Sequence, residues 1–544
     1  MATEEEKQTV FDVEAANMLT KELRDVFASG KTRSYEWRIS QLKSMIKMCD
    51  EHEEDIAYAL HQDLSKPKLE SIVYEITMLK NSCTLAIKEL KQWMMPEKAK
   101  TSLLTFPSSA EIVPEPLGVV LVISSWNYPF LLSLDPLVGA IAAGNAMVLK
   151  PSEFSPATSS LLAKLLPEYL DISSIKVVEG AVSETSALLE QKWDKIFYTD
   201  RAIHLLPKDG MFLFRFQSDK LHFFGMLLNE ENIRNNLTAA QLTELSVTLL
   251  EKPAGNGRVG RIVMAAAAKH LTPVVLELGG KSPVVVDSGI DLQIATRRII
   301  AGKWGCNNGQ ACVSPDYIIT TKDCADKLVD SLKKELETFY GKNPLESKDL
   351  SRIVNSKHFS RLTKLLDEDN KVSTKIVYGG ERDEANLKIS PTILVGVPRD
   401  SLIMKEEIFG PLLPILIVRK IEDSFDMINS GTKPLAAFLF TNNKKLKEQF
   451  VASVSAGGVV INDIAIHVAI HTLPFGGVGE SGTGSYHGKF SFDAFSHKKA
   501  VLYRSFMGES AMRYPPYTRE KLRLMKAFMT SNFWTILRTL LGRS

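Results

Sequence analysis

The sequence predicts an α/β chain of two doubly wound domains with a small accessory hairpin. Three observations predict it. Strand and helix alternate from residue 118 to about 300, the signature of a parallel sheet covered on both faces. A second strand–helix series follows from "DYIITT" onward, and 98–117, "KAKTSLLTFPSSAEIVPEPL", combines alternation with prolines, as an edge hairpin does. At 544 residues the chain is also too long for one core and suggests two or three domains.

The elements follow in order. Residues 11–95 carry helical periodicity with alternating charge, as in "WRISQLKSMIKMCDEHEEDIAYAL", and read as a helical cover. The run from 118 to 150, "GVVLVISSWNYPFLLSLDPLVGAIAAGNAMVLK", is apolar enough to resemble a membrane span, but Asn127, Pro129, Asp135 and Pro136 interrupt it. It reads better as a buried strand (GVVLVIS), a helix after Pro136 and a second buried strand (AMVLK). The stretch 255–270, "GNGRVGRIVMAAAAKH", opens like a phosphate-facing loop, with glycines at 255, 257 and 260 before an alanine-rich helix. Such a loop should follow a strand, yet "LTELSVTLLEKPA" before it reads as a helix ending at Pro253.

The second series has a helix at "ADKLVDSLKKELETFY" and strands at "PTILVGV", "PILIVRK", "LAAFLFT" and "GGVVIND". A glycine-rich run, "PFGGVGESGTGSYHG" (474–488), precedes the last strand, "KAVLYRS". In the tail, Leu522, Met525, Phe528, Met529, Phe533, Ile536, Leu537 and Leu540 recur at mostly helical spacing with Lys and Arg between them. That pattern suits an interfacial membrane helix or a helix packed on the protein's own surface.

Composition excludes some functions. With 44% hydrophobic and 24% charged residues and a net charge of +2, no basic excess points to a nucleic acid. The acidic start "MATEEEKQTVFDVE" lacks signal-peptide and transit-peptide features, so a cytosolic location is expected. The five cysteines, Cys49, Cys83, Cys306, Cys312 and Cys324, lack zinc-ligand spacing and fit a reducing compartment, and no metal is expected. Four of them read as buried small hydrophobes.

Several residues have two readings. Cys312, in "WGCNNGQACVS", is a structural thiol or a nucleophile, since a thiol reacts only as thiolate at an electropositive or dipole-rich place. Glu277 ends the apolar strand of "LELGGKSP" as a solvated strand end or as a base near a cleft. Asn127, at the end of a buried strand in "ISSWNYPF", is a cap or turn residue or a donor to a developing oxyanion. Lys150 and Glu153, in "LKPSEFSP", either hold ribose hydroxyls or decorate a turn. "EEIFGP" (406–411) says nothing by itself.

In this order, W-N-Y-P-F, K-P-S-E, G-x-x-x-x-G, E-L-G-G-K, G-Q-x-C, E-x-F-G-P and P-F-G-G resemble the aldehyde dehydrogenase superfamily from about residue 10 to 505. The segment 475–497 resembles its class 3 branch, which includes fatty aldehyde dehydrogenases. The resemblance implies a Rossmann-like cofactor domain from 1–97 and 118–276, a catalytic domain from 277–480, bridging strands at 98–117 and 498–505 that join a homodimer, and a tail from 506 to 544. It implies NAD or NADP as cofactor and a medium-chain, long-chain or aromatic aldehyde as substrate. Cys312 would be the nucleophile, Asn127 and the Cys312 N–H the oxyanion donors, and Glu277 the base that activates water against the thioester. Lys150 and Glu153 would bind the adenosine ribose, Gly255 and Gly260 would shape the phosphate loop, Glu407 would hold the nicotinamide ribose beside Phe409, and Tyr128 and Phe475 would line the aldehyde tunnel. The two aromatics also read as ordinary core residues.

One departure stands out. In the family a strand like "KIFYT" (195–199) runs directly into the phosphate loop, whereas here residues 200–254 intervene. Closing a disordered excursion of that length costs about 3.6 kcal/mol plus a constant, and "MFLFRFQSDKLHFFGMLL" within it is too apolar for a solvent loop. The segment reads as a splicing or gene-model artefact such as a retained intron. The alternative function is accordingly a catalytically impaired scaffold or membrane-surface protein whose cofactor loop the segment disrupts.

Overall fold

The computed structural model describes residues 11–101, 108–199, 257–369, 374–507, 509, 511–529, 534, 537 and 538. Its strands, in chain order, begin with β1 (Glu97–Ala99) and β2 (Ser108–Pro116), followed by β3 (Val119–Ile123), β4 (Ala146–Lys150), β5 (Ile175–Val177), β6 (Lys195–Thr199) and β7 (Val274–Glu277). Next come β8 (Pro283–Val286), β9 (Tyr317–Thr321), β10 (Lys375–Tyr378), β11 (Arg382–Asp383), β12 (Lys388–Ile389), β13 (Thr392–Val395), β14 (Leu412–Val418), β15 (Ala436–Phe440) and β16 (Gly458–Ile461). The chain returns through β17 (Gly482–Thr483) and β18 (Ser496–Arg504).

Two large sheets result, one in the order β17-β7-β6-β3-β4-β5 and the other β10-β13-β14-β9-β8-β15-β16. Pairings from β7 through β5 are parallel, and only the edge strand β17 runs antiparallel to β7. In β3 and β4 every residue is buried, which is why both strands are apolar runs in sequence, broken only by Lys150 at the end of β4. Removing a Val, Leu or Ile side chain of this kind from water contributes about 1.5–3 kcal/mol. The strand that the glycine loop needs is β6, and helix Arg258–Ala268 packs back on β6 and β7. The helix expected to end at Pro253, and the whole 200–254 segment, lie outside the described residues.

The third sheet, β1-β2-β18, confirms the expected hairpin and adds the last strand to it across a nine-residue antiparallel register, Ser496 opposite Pro116 through Arg504 opposite Ser108.

Two expectations need correction. The helix expected after Pro136 begins at Leu131 and contains Pro136. Its start is fixed from a distance, because the Glu75 carboxylate accepts the Phe130 and Leu131 N–H groups at 2.9 and 3.1 Å; no local signal reveals a cap from 55 residues upstream. Of the four cysteines expected to be buried, Cys49, Cys83 and Cys324 are, whereas Cys306 is partly exposed. In the tail, helix Arg519–Met529 leaves Leu522 and Met529 exposed and half-buries Met525 and Phe528. Among the described residues no helix is long and apolar enough to cross a membrane.

Candidate active site

Parallel pairing brings the ends of several strands to one edge. Ile123 lies opposite Lys150 and Tyr198, and Thr199 opposite Glu277. The crevice beyond the carboxyl ends of such strands is where open α/β sheets bind ligands. Lys150 and Glu277, 127 positions apart in sequence, therefore face the same side of the molecule for a topological reason.

Glu277 is buried at the end of β7. Cys312 donates its thiol to Glu277 Oε1 with Sγ 3.2 Å away, and the Tyr486 hydroxyl donates to Oε2. Glu277 also stands opposite Gly482 in the β7–β17 pair. Gly482 has φ 138°, and a Cβ there would come within 2.1 Å of the Leu276 carbonyl oxygen, so only glycine lets β17 lie this close. Burial first, and then the Glu277 charge, hold the Tyr486 phenol well above its ordinary value. The phenol therefore remains a proton donor to the carboxylate throughout the physiological range. Tyr486 was not singled out from the sequence, where it is one aromatic inside a glycine-rich run.

The turn before Cys312 is left-handed at three consecutive residues, Asn307 (φ 49°), Asn308 (φ 50°) and Gly309 (φ 83°). Asn127, fully buried, donates from Nδ2 to the Gln310 carbonyl at 3.1 Å, and its own carbonyl accepts from Asn307 Nδ2 at 2.8 Å. Ser125 donates to Asn127 Oδ1 at 2.9 Å, which settles the orientation of the amide. The loop after β3 and the cysteine loop are thus tied together by hydrogen bonds, and Asn127 serves neither as a helix cap nor as an exposed turn residue.

On the other side of the edge, Lys150 Nζ donates to the Pro151 carbonyl at 2.8 Å and to Glu153 Oε2 at 3.2 Å. Burial lowers the Lys150 ammonium from its ordinary value, and the Glu153 charge opposes that. An ammonium beside a partly exposed carboxylate supplies the donor and acceptor that a vicinal diol needs. At Gly260 a Cβ would sit 3.1 Å from Leu278 Cδ2, a close helix–strand approach of the kind a dinucleotide fold uses its last loop glycine for. These residues fit a dinucleotide. Gly255 lies outside the described residues.

The segment 406–411 is clamped from both flanks. Lys281, the lysine of E-L-G-G-K, pairs with Asp316 and donates to the Ile403 and Glu406 carbonyls at 2.8 and 2.9 Å. Arg361 reaches the Ile408 carbonyl at 2.6 Å and the Glu407 carbonyl at 3.3 Å. Glu407 and Phe409 are buried, and Phe409 is held at φ 47° with its ring edge-on to Trp126 at 5.4 Å. A phenylalanine in that backbone region is strained by about 1–3 kcal/mol, and such outliers cluster at functional sites.

Tyr128 and Phe475 are both set by their neighbours. The Lys66 ammonium sits 3.7 Å over the Tyr128 ring, and Phe475 stacks on His487 at 5.2 Å while meeting Tyr486 edge-on at 5.4 Å. Burial, with His471 beside it and against the pull of Asp135, brings His487 down to about 4. Because the unfolded chain binds this proton below about pH 6.5 and the folded chain does not, stability falls as pH drops from about 6.5 toward 4. His487→Gln is expected to remove about one proton, about 1.4 kcal/mol per pH unit, from that slope. Urea midpoints between pH 7 and 5 measure it, and an unchanged slope contradicts it.

A family model described as the aldehyde dehydrogenase family matches residues 5–198 and 249–501, leaving out much of the intervening stretch. Aldehyde dehydrogenase family 3 member H1 of Arabidopsis thaliana is 63% identical over 536 residues, 98% of this chain and 99% of its own. A rat protein described as aldehyde dehydrogenase, dimeric NADP-preferring, is 42% identical over 91% of this chain and 96% of its own. Among solved structures, Staphylococcus aureus AldH in a substrate-bound state superposes with a TM-score of 0.81 at 38% identity, covering 94% of this chain and 99% of its own.

Proposed function

The chain belongs to the aldehyde dehydrogenase family, in its class 3 branch, and catalyses NAD(P)-dependent aldehyde oxidation; on that premise we propose that Cys312 is its nucleophile and Glu277 its base. The observation that carries the assignment is the thiol-to-carboxylate contact of 3.2 Å at the strand edge. With its proton lost to solvent, Cys312 acts as thiolate: the sulfur bonds to the aldehyde carbon while the carbonyl π pair moves onto oxygen. One Asn127 N–H is committed to Gln310, which fixes the amide plane and leaves the second for that oxygen, together with the Cys312 N–H. Bound NAD(P) supplies the two-electron oxidant that leaves an acyl thioester on Cys312. Glu277 then takes a proton from water as the water oxygen adds to the acyl carbon; the C–S bond breaks with its electron pair returning to sulfur as thiolate, the carboxylic acid leaves, and Glu277 passes its proton to solvent. Tyr486 keeps Glu277 pointed at the sulfur through both steps.

Tyr128 and Phe475 make the aldehyde approach aromatic, which favours medium-chain, long-chain or aromatic substrates. Each buried methylene adds about 0.8 kcal/mol, so kcat/KM is expected to rise up to about fourfold per carbon along a linear series until the tunnel is filled. NAD(P)H formation with acetaldehyde, hexanal, decanal and benzaldehyde tests this, and a preference for acetaldehyde overturns it.

Lys150 and Glu153 bind the adenosine ribose in this reading, with Glu407 on the nicotinamide ribose, Phe409 beside it, and Gly255 and Gly260 shaping the phosphate loop. A charged acceptor for a 2′-hydroxyl contributes about 1.5–3 kcal/mol. Glu153→Gln is therefore expected to shift the NAD-to-NADP ratio of kcat/KM about 10- to 100-fold toward NADP. Steady-state kinetics with both cofactors measure the shift, and an unchanged ratio removes Glu153 from the ribose site.

The β1-β2-β18 sheet is the natural dimer element, a reading supported by the description of the rat relative as dimeric. The exposed apolar residues of the 519–529 helix favour peripheral membrane contact by a cytoplasmic enzyme. Sedimentation equilibrium tests the first. Co-sedimentation with anionic phospholipid vesicles, lost on truncation at 506, tests the second.

A further inference from the structure

The reaction uses Cys312, Asn127 and Glu277 but leaves unexplained a buried acidic residue on the far side of the cysteine loop. Glu70 lies on the short helix Lys68–Ser71, which continues into a π-helical turn, Ile72–Thr77, and then into helix Met78–Trp93. A π turn carries an extra residue and changes the direction of the side chains on either side of it. Here it sends two carboxylates to two different places. Glu75 pairs with the fully buried Lys66 and caps helix Leu131–Ala143. Glu70, 4% exposed, instead accepts the Asn307 N–H at 2.8 Å, with Ser351 Oγ at 3.5 Å from its second oxygen.

Asn307 opens the left-handed turn, where each non-glycine residue is strained and needs support from outside. From Asn307 the hydrogen bonds run straight to the reaction. Its Nδ2 donates to the Asn127 carbonyl at 2.8 Å and to the Gln310 carbonyl at 3.4 Å, and Gln310 Nε2 returns to the Asn307 carbonyl at 3.2 Å. The same Gln310 carbonyl receives the Asn127 amide. Two residues on is Cys312. On the opposite side, a Cβ at Gly309 would come within 2.2 Å of the Gly410 carbonyl oxygen, so the turn cannot relax that way.

We propose that Glu70 is a positioning residue for acyl transfer, its carboxylate holding the Asn307 N–H and, through the turn, setting the Asn127 amide against the oxygen that develops at Cys312. This rests on the assignment of Cys312 and Asn127 above. Burial pushes the Glu70 carboxyl up to about 7, against the pull of Lys66 and the Asn307 N–H. A neutral amide at this position is accordingly a fair mimic, because its oxygen still accepts from Asn307.

The test uses the full-length enzyme and the pre-steady-state burst of NAD(P)H formation. Glu70→Ala, which removes the acceptor, is expected to slow the burst about 10- to 100-fold, the scale of leaving a buried N–H donor unsatisfied. Glu70→Asp withdraws it by one methylene and is expected to slow the burst about tenfold, whereas Glu70→Gln recovers the rate to within about threefold. NAD(P) dissociation constants and the rate of Cys312 alkylation by iodoacetamide, which needs no oxyanion donor, stay unchanged. In an Asn127→Ala background, Glu70→Ala is expected to add less than about threefold, since residues acting through one another are not additive.

Full burst rates in Ala and Asp, or independent multiplication with Asn127→Ala, overturn the proposal. Should Glu70→Ala fail to fold, the Asp and Gln pair decides alone, and equal rates in those two overturn it as well. If the wild-type enzyme carries no adduct on Cys312 during turnover, the assignment of the nucleophile fails instead, which is a separate result from a normal adduct that Glu70 variants do not slow.

Discussion

Cys312→Ala is expected to abolish aldehyde oxidation, lowering kcat/KM on the order of 10⁴-fold or more, because a covalent route loses its only bond to the substrate. Hydrolysis of an activated ester without cofactor is expected to fall with it, since the same sulfur forms the same acyl intermediate. NAD(P) affinity is expected to hold, as Lys150 and Glu153 sit at the end of β4 and the thiol lies beside Glu277 at the end of β7. Stability is expected to change little, because Cys312 is only partly buried and the turn before it is held by Asn127, Gln310 and Glu70 rather than by the sulfur. Paired assays of NAD(P)H formation and p-nitrophenyl acetate cleavage measure both losses. Ester cleavage that survives in the variant would show that another residue forms the acyl bond.

Glu277→Gln separates the two halves of the reaction. The amide accepts a hydrogen bond from Tyr486 as the carboxylate does, so the local packing is retained, but it takes no proton from water. General-base catalysis is worth about 10² to 10⁴, and the loss is expected to fall on deacylation. The variant should give a burst approaching one NAD(P)H per site followed by a steady-state rate lower by that factor. Should the burst vanish as well, the thiol proton has no route other than Glu277, and the carboxylate is needed twice. Should steady-state turnover persist unchanged, Glu277 is a structural strand end, the commoner role for a carboxylate in that place.

Much of this was legible in the chain because the elements concerned are local. The buried strands β3 and β4 are runs dominated by apolar residues long enough to need cover on both faces, whereas β6 was matched to the phosphate loop only through the family resemblance. Cys312, Glu277, Asn127, Lys150 and Glu153 stood out only through the order of short motifs, since each alone has a commoner structural role. What stayed hidden depends on contacts across many residues. The start of helix Leu131–Ala143 is set by Glu75, the Glu277 carboxylate is held by Tyr486 from 209 positions downstream, and Asn307 is held by Glu70 from 237 positions upstream. No periodicity encodes such partners. The lysine of E-L-G-G-K is a further case, because its motif gives no hint of the hydrogen bonds by which it clamps the Ile403 and Glu406 carbonyls.

The direct test of the account is the intact mass of the Glu277→Gln protein, quenched in acid after a brief exposure to decanal and NAD. One added decanoyl group per chain is expected, mapped by peptide digestion to Cys312 and released by hydroxylamine. An unmodified chain after a full NADH burst, or an acyl group on Cys306 or any other residue, would contradict it.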